Sequence, residues 1–147
     1  MYKYEINFVK DIEKKIVSHE NLFKIAGLDF EFNYSDGRTD IIALNQKGDL
    51  ISFEAKLNHW RKGINQAYRN SSFSHYSYLI LPKNVAEKAL KEIYEFKLRG
   101  IGLCSVDSSG ITIEINACRK EPLQPWITKK AMNFIDYSKN EKRRKAS

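Results

Sequence analysis

Residues 37–60, GRTDIIALNQKGDLISFEAKLNHW, constrain the fold more than any other stretch of this chain. Two apolar runs, TDIIAL and LISFEAKL, flank NQKGD, whose polar residues and glycine close a β-hairpin. Alternation along the second run sets Ile51, Phe53 and Ala55 on one face and Ser52, Glu54 and Lys56 on the other. Counting back from the turn brings Asp40, on the first strand, near Glu54. Charged residues so close together on a largely apolar hairpin call for a chemical explanation.

The flanking segments supply the layers. Residues 5–26 carry Phe8, Val9, Ile12, Ile16 and Phe23 at helical spacing, with Gly27 placed to close the helix. LDFEFNY alternates as a strand, and SDGR reads as a turn. After the hairpin, RKGINQAYRNSS predicts a helix with Ile64, Ala67 and Tyr68 on one side. HYSYLILP is a buried strand ended by Pro82. Residues 84–100 predict one amphipathic helix, with Asn84 as N-cap, a stripe of Val85, Ala89, Ile93 and Phe96, and Gly100 at its end. IGLCSVD, SSG and ITIEINA give a strand, a turn and a strand. The order α-β-β-β-α-β-α-β-β predicts an α/β fold: a mixed central sheet with flanking helices.

The length of 147 residues suits one domain with a real core. The expected boundaries are a domain over 1–118 and a basic C-terminal extension over 119–147, partly helical or disordered. Ile127, Ala131, Phe134 and Ile135 share one face of that extension, and its end, KNEKRRKAS, holds five basic side chains against one acid. The net charge is +7 and the pI about 9.3. That balance favours polyanionic partners, nucleic acid before an anionic membrane. Cys104 and Cys118 fit neither a metal knuckle nor a disulfide framework, and His19, His59 and His75 are scattered, which disfavours zinc. No apolar run reaches the length of a membrane span, and the charged start MYKYEINFVKDIEKK does not read as a signal peptide. A soluble cytoplasmic protein is the expectation. P-loop and nucleophile-elbow motifs are absent from the sequence.

Two carboxylates converging on one point repel unless a cation lies between them. Mg²⁺ suits the pair: it prefers oxygen ligands, keeps several waters, and is held by one or two carboxylates plus phosphate. A neighbouring lysine can orient a water or stabilise charge developing on phosphorus. Metal, water and phosphate together give phosphodiester hydrolysis. The competing interpretation is a cross-strand acid–lysine pair on a solvated hairpin face, worth little in stability.

With TD on one strand, a turn, and EAK after apolar residues, the chain resembles the PD-(D/E)XK nuclease superfamily. The α-β-β-β-α-β core of that restriction-endonuclease-like fold matches residues 5–81; a further helix and β-hairpin follow. Thr39 stands where the signature has proline. The resemblance implies that Asp40 and Glu54 bind Mg²⁺, or Mn²⁺, that the Ala55 carbonyl completes the ligands, and that Lys56 assists the attacking water. It also implies a carboxylate from the first helix, for which Glu13 is preferred over Glu20. Gln66 matches a glutamine found after the E-x-K element in many members, whereas Asn70 stands where a tyrosine sometimes follows it. The implied function is a metal-dependent nuclease, endo- or exo-acting, on DNA before RNA.

Arg61, Lys62, Gln66 and Arg69, with Trp60 and Tyr68 among them, form a basic and aromatic stretch suited to phosphates and bases. Specificity then rests on loops, a homodimer or a larger nucleoprotein complex. The alternative function is a non-catalytic nucleic-acid-binding or assembly module on the same fold. A third possibility is a domain whose charges are merely solvated.

Overall fold

The computed structural model describes residues 5–34 and 37–146, with the side chains of Glu20 and of residues 136–146 left out. Ser35 and Asp36 of the expected SDGR turn lie outside the described residues, as do the side chains of the basic KNEKRRKAS end. Among the described residues no helix is long and apolar enough to cross a membrane.

Six strands form one mixed sheet in sequence order: β1 (Ile25–Tyr34), β2 (Gly37–Asn45), β3 (Leu50–Ala55), β4 (Tyr76–Pro82), β5 (Gly102–Asp107) and β6 (Gly110–Ile115). β1, β2 and β3 run antiparallel, β4 and β5 continue parallel to β3, and β6 turns back. The parallel steps need crossovers, and helix α3 (Trp60–Asn70) and the pair α4 (Lys83–Leu90) and α5 (Ile93–Arg99) provide them. This is the mixed, helix-flanked sheet that the hairpin and the alternating elements predict.

Helices cover both faces. On one, α1 (Glu5–Ser18) buries Phe8, Ile12 and Ile16 against Ile41, Ile51, Phe53 and Ala55. On the other, α3, α4 and α5 cover Leu79 and Leu81. Helix α6 (Pro125–Ala146) lays Ile127, Ala131 and Ile135 beside Phe32, Ile42 and Leu50. Burial on both faces explains why all of Leu50–Ala55 is inaccessible. A charged residue on β3 therefore sits in the core.

Two helices depart from the pattern. The first ends at Ser18; a single turn, α2 (Glu20–Phe23), follows, and β1 begins at Ile25. Ser18 and His19 bond back to the Lys14 and Lys15 carbonyls, and Lys24 takes a left-handed φ of 53° that redirects the chain into the strand. Gly27 is thus a strand residue, not a helix cap. A Cβ there would lie 2.8 Å from Cγ2 of Ile135, so glycine admits α6 close to the sheet. The helix expected over 84–100 breaks in two at Glu92, preceded by tight bonds from the Lys91 and Glu92 amides to the Lys88 and Ala89 carbonyls. The break re-aims the second segment: Phe96 is buried while Ile93 is 40% exposed. Pro82, not Asn84, occupies the N-cap position of α4.

Candidate functional site

The hairpin register settles where the acids meet. Ile41 pairs with Phe53, Ile42 with Ser52, Ala43 with Ile51 and Leu44 with Leu50. One further step sets Asp40 across from Glu54. The Ala55 amide donates to Oδ2 of Asp40 at 2.9 Å, which ties the aspartate to the end of β3. The two carboxyls lie within hydrogen-bonding reach and each acts on the titration of the other. Burial, and then the charge of Asp40, push the Glu54 carboxyl up to about 8. Asp40 is also raised, burial being the main cause and the Ala55 N–H the main offset.

Behind Glu54 lies a buried polar network. Nδ2 of Asn70 donates to Oε1 of Glu54 at 3.0 Å. Oδ1 of the same amide accepts from the Tyr34 hydroxyl at 2.8 Å and from Oγ1 of Thr39 at 2.9 Å. Two hydroxyl donors on Oδ1 fix the amide orientation, so that Nδ2 must face the acid. Nε of Arg69 donates to the Tyr34 hydroxyl at 3.0 Å, and its guanidinium packs over Gly37, where a Cβ would lie 2.8 Å from Cζ. Asn70 is thus fully buried and bonded to Glu54.

Lys56 continues from Glu54 along the strand end. Its stem passes Gly63 of α3, where a Cβ would lie 2.9 Å from Cγ of Lys56 and 2.7 Å from Cδ1 of Leu79. Its ammonium lies 3.9 Å from Oε2 of Glu5, whose other oxygen accepts from the Leu57 amide at 3.3 Å. The charge of Glu5 also acts on Asp40. Sequence reasoning missed Glu5, which looks like an ordinary acid in the first turn of a helix.

A cleft of about 270 Å³ opens beside Asp40 and Ala55, with Glu5, Glu13, Glu31 and Arg38 on its walls. Glu13 therefore faces the same cleft as Asp40, two turns along α1 from Glu5. Val17, one turn further along α1, is 51% exposed. The side chain of Glu20 lies outside the described residues. Among the described residues no group of three or more His, Cys, Asp or Glu side chains is arranged to hold a metal ion.

The basic residues of α3 separate. Arg69 belongs to the network behind Glu54. Arg61 stacks on Trp60, 4.1 Å from the ring centroid, and bonds to Glu92. Lys62 lines an open cavity of about 530 Å³ with His59, Trp60 and Arg61. Gln66 lies within one turn of both Gly63 and Asn70, and its Oε1 is buried with no partner among the described residues.

No family model matches this chain, and no curated protein matches it either. Among solved structures it is similar to the SPO1766 protein of unknown function from Silicibacter pomeroyi, at 14% identity and a TM-score of 0.57 over 84% of this chain and 86% of that one. A weaker likeness, at 14% identity and a TM-score of 0.44, joins it to Ca²⁺-bound SfsA of Pyrococcus furiosus, over 79% of this chain and 65% of that one. Another, at 14% identity and a TM-score of 0.42, joins it to a repair endonuclease of Pyrococcus abyssi, over 63% of this chain and 45% of that one. The likeness to the Silicibacter protein extends across the sheet and its helices, and it is a likeness of fold.

Proposed function

We propose that the chain is a metal-dependent nuclease of the PD-(D/E)XK kind, hydrolysing phosphodiester bonds in nucleic acid, DNA before RNA. The observation that carries this reading is the Asp40–Glu54 pair. A buried Glu54 carboxyl lies against the half-buried carboxyl of Asp40 where β2 and β3 meet, a placement that costs stability unless the charges are paired.

The donor set fits a hard divalent cation. Two carboxylates and a backbone carbonyl, with water at the open positions, match the few protein ligands that Mg²⁺ takes, and Mn²⁺ accepts the same donors. The Oε1 of Gln66, one turn from Asn70 on α3, is a further buried oxygen with no partner among the described residues and is suited to bond a water. Asp40, Glu54 and the Ala55 carbonyl would hold the ion, with Glu13 reaching it through water across the cleft. Bound there, it would polarise a phosphoryl oxygen and acidify a coordinated water.

The chain's own residues do the rest. Asn70 and the Ala55 amide hold the two acids from opposite sides. Lys56, whose ammonium lies 3.9 Å from Oε2 of Glu5, would offer that charge to the attacking water and to charge developing on phosphorus. Arg69 presents a guanidinium beside Glu54, while Arg61 and Lys62 extend positive charge along α3 towards a phosphate backbone.

One observation favours a second reading, a non-catalytic nucleic-acid-binding or assembly module: the ion pair of Lys56 is with Glu5, not with either acid of the pair. Titration of the protein with Mn²⁺ at pH 8.5, followed by calorimetry, separates the two. The nuclease reading expects saturable binding that Asp40→Asn and Glu54→Gln abolish. Salt-dependent nucleic-acid binding with no metal binding would favour the module.

A further inference from the structure

A second cavity, of about 400 Å³, opens on the far side of Arg69 from the acids, between the end of α3 and the segment entering α6. Tyr68 and Arg69 form one wall; Lys120, Leu123 and Gln124 form the other. Tyr68 is 51% exposed and Leu123 82% exposed, so the cavity offers an aromatic ring and an apolar flank to solvent. The Lys120 ammonium lies over the Tyr68 ring, 5.1 Å from its centroid, and is anchored on the Arg99 carbonyl, so a cation is fixed on one face of the platform and a base would take the other. The acid on the rim, Glu121, is engaged by Arg119 at 2.5 Å. Ser72 and Gln124 bond to each other at 2.9 Å and brace the two walls.

We propose that this cavity is a subsite for one unpaired nucleotide of a single-stranded nucleic acid, its base stacked on Tyr68 and its phosphates between Arg69 and Lys120. The chemistry is specific to that class. A ring and an apolar flank accept the π-face of any base, and two cations take the backbone. In a duplex the base faces are covered by their neighbours, so a base reaches Tyr68 only from a single strand or a frayed end. Arg69 links the subsite to the acid pair, because the guanidinium that lines the cavity is bonded to Tyr34 and acts on Glu54. The assignment rests on the nuclease reading for what happens next to it, but binding in the cavity needs no metal.

The test is fluorescence anisotropy in EDTA with labelled dT12, labelled rU12 and a blunt hairpin duplex, using the full chain. Wild type binds both single strands more tightly than the duplex. Tyr68→Ala weakens single-strand binding about tenfold, the scale of one lost base–aromatic stack, and leaves duplex binding unchanged. Tyr68→Phe retains the wild-type preference, and Lys120→Gln weakens single-strand binding and flattens its salt dependence. Equal losses for single strand and duplex, or no loss with Tyr68→Ala, would overturn the subsite. Failure of the nuclease reading looks different: single-strand binding persists, Tyr68 matters, and no nucleic acid is cut in Mn²⁺. Absence of all nucleic-acid binding would remove both.

Discussion

Nδ2 of Asn70 lies 3.0 Å from Oε1 of Glu54 and is turned towards it by two hydroxyls on the other end of the amide. This contact ties a buried structural residue to Glu54. Asn70→Ala leaves Glu54, Tyr34 and Thr39 short of a partner inside the core. The expected cost is about 2 kcal/mol of unfolding free energy, read by urea denaturation. The milder Thr39→Val keeps the volume but frees the amide to turn. It should lower Mn²⁺ affinity about tenfold, the effect usual for residues supporting a ligand, with a smaller change in stability.

The raised carboxyl of Glu54 gives stability a pH signature. Its folded-state value of about 8 lies above the ordinary 4.5, so the folded protein holds a proton that the unfolded chain releases. The stabilisation from this group is complete below about pH 4.5 and is lost as pH rises through about 8. In EDTA, Tm should fall between pH 5 and 8, and Glu54→Gln should flatten that fall. Adding Mn²⁺ should reverse it, most strongly at high pH, because proton and metal compete for the same oxygens. A Tm slope identical in wild type and Glu54→Gln would assign the pH dependence elsewhere.

Gly63 tests the seat of Lys56. In an exposed helix Gly→Ala stabilises by about 1 kcal/mol. Here the new methyl would lie 2.9 Å from the Lys56 stem and 2.7 Å from Leu79. Gly63→Ala should therefore fail to raise Tm and should lower turnover on nucleic acid with little change in KM. A stabilised, fully active variant would show that the lysine's position is not critical.

Much of this was legible in the sequence because the hairpin is governed by local rules. A glycine turn and strict alternation fix the pairing of Asp40 with Glu54, and the apolar residues around Glu54 announce its burial. The path from Ile16 to Leu28 was not legible. Phe23 fits a helical stripe with Ile16, and nothing local shows that Lys24 adopts a left-handed turn or that Gly27 serves α6, more than a hundred residues away. Glu5 and Asn70 were hidden for the same reason. Each acts through a partner distant in sequence: Glu5 through Lys56, and Asn70 through Tyr34, Thr39 and Glu54. Arg61 and Lys62 leave α3 about 100° apart, and Arg69 lies on the same side as Lys62 but two turns further along, which sets the three in different surroundings.

The most direct measurement is cleavage of single-stranded, duplex and branched DNA and of RNA by purified protein, with Mg²⁺ or Mn²⁺ and with EDTA. The wild type should cut at least one of these only when metal is present. Asp40→Asn should abolish cleavage, and Lys56→Ala should lower turnover at least about a hundredfold, the usual loss when one preorganised group that stabilises transition-state charge is removed, while both variants remain folded. No cleavage of any substrate with either metal, or cleavage that survives both substitutions, would contradict the account.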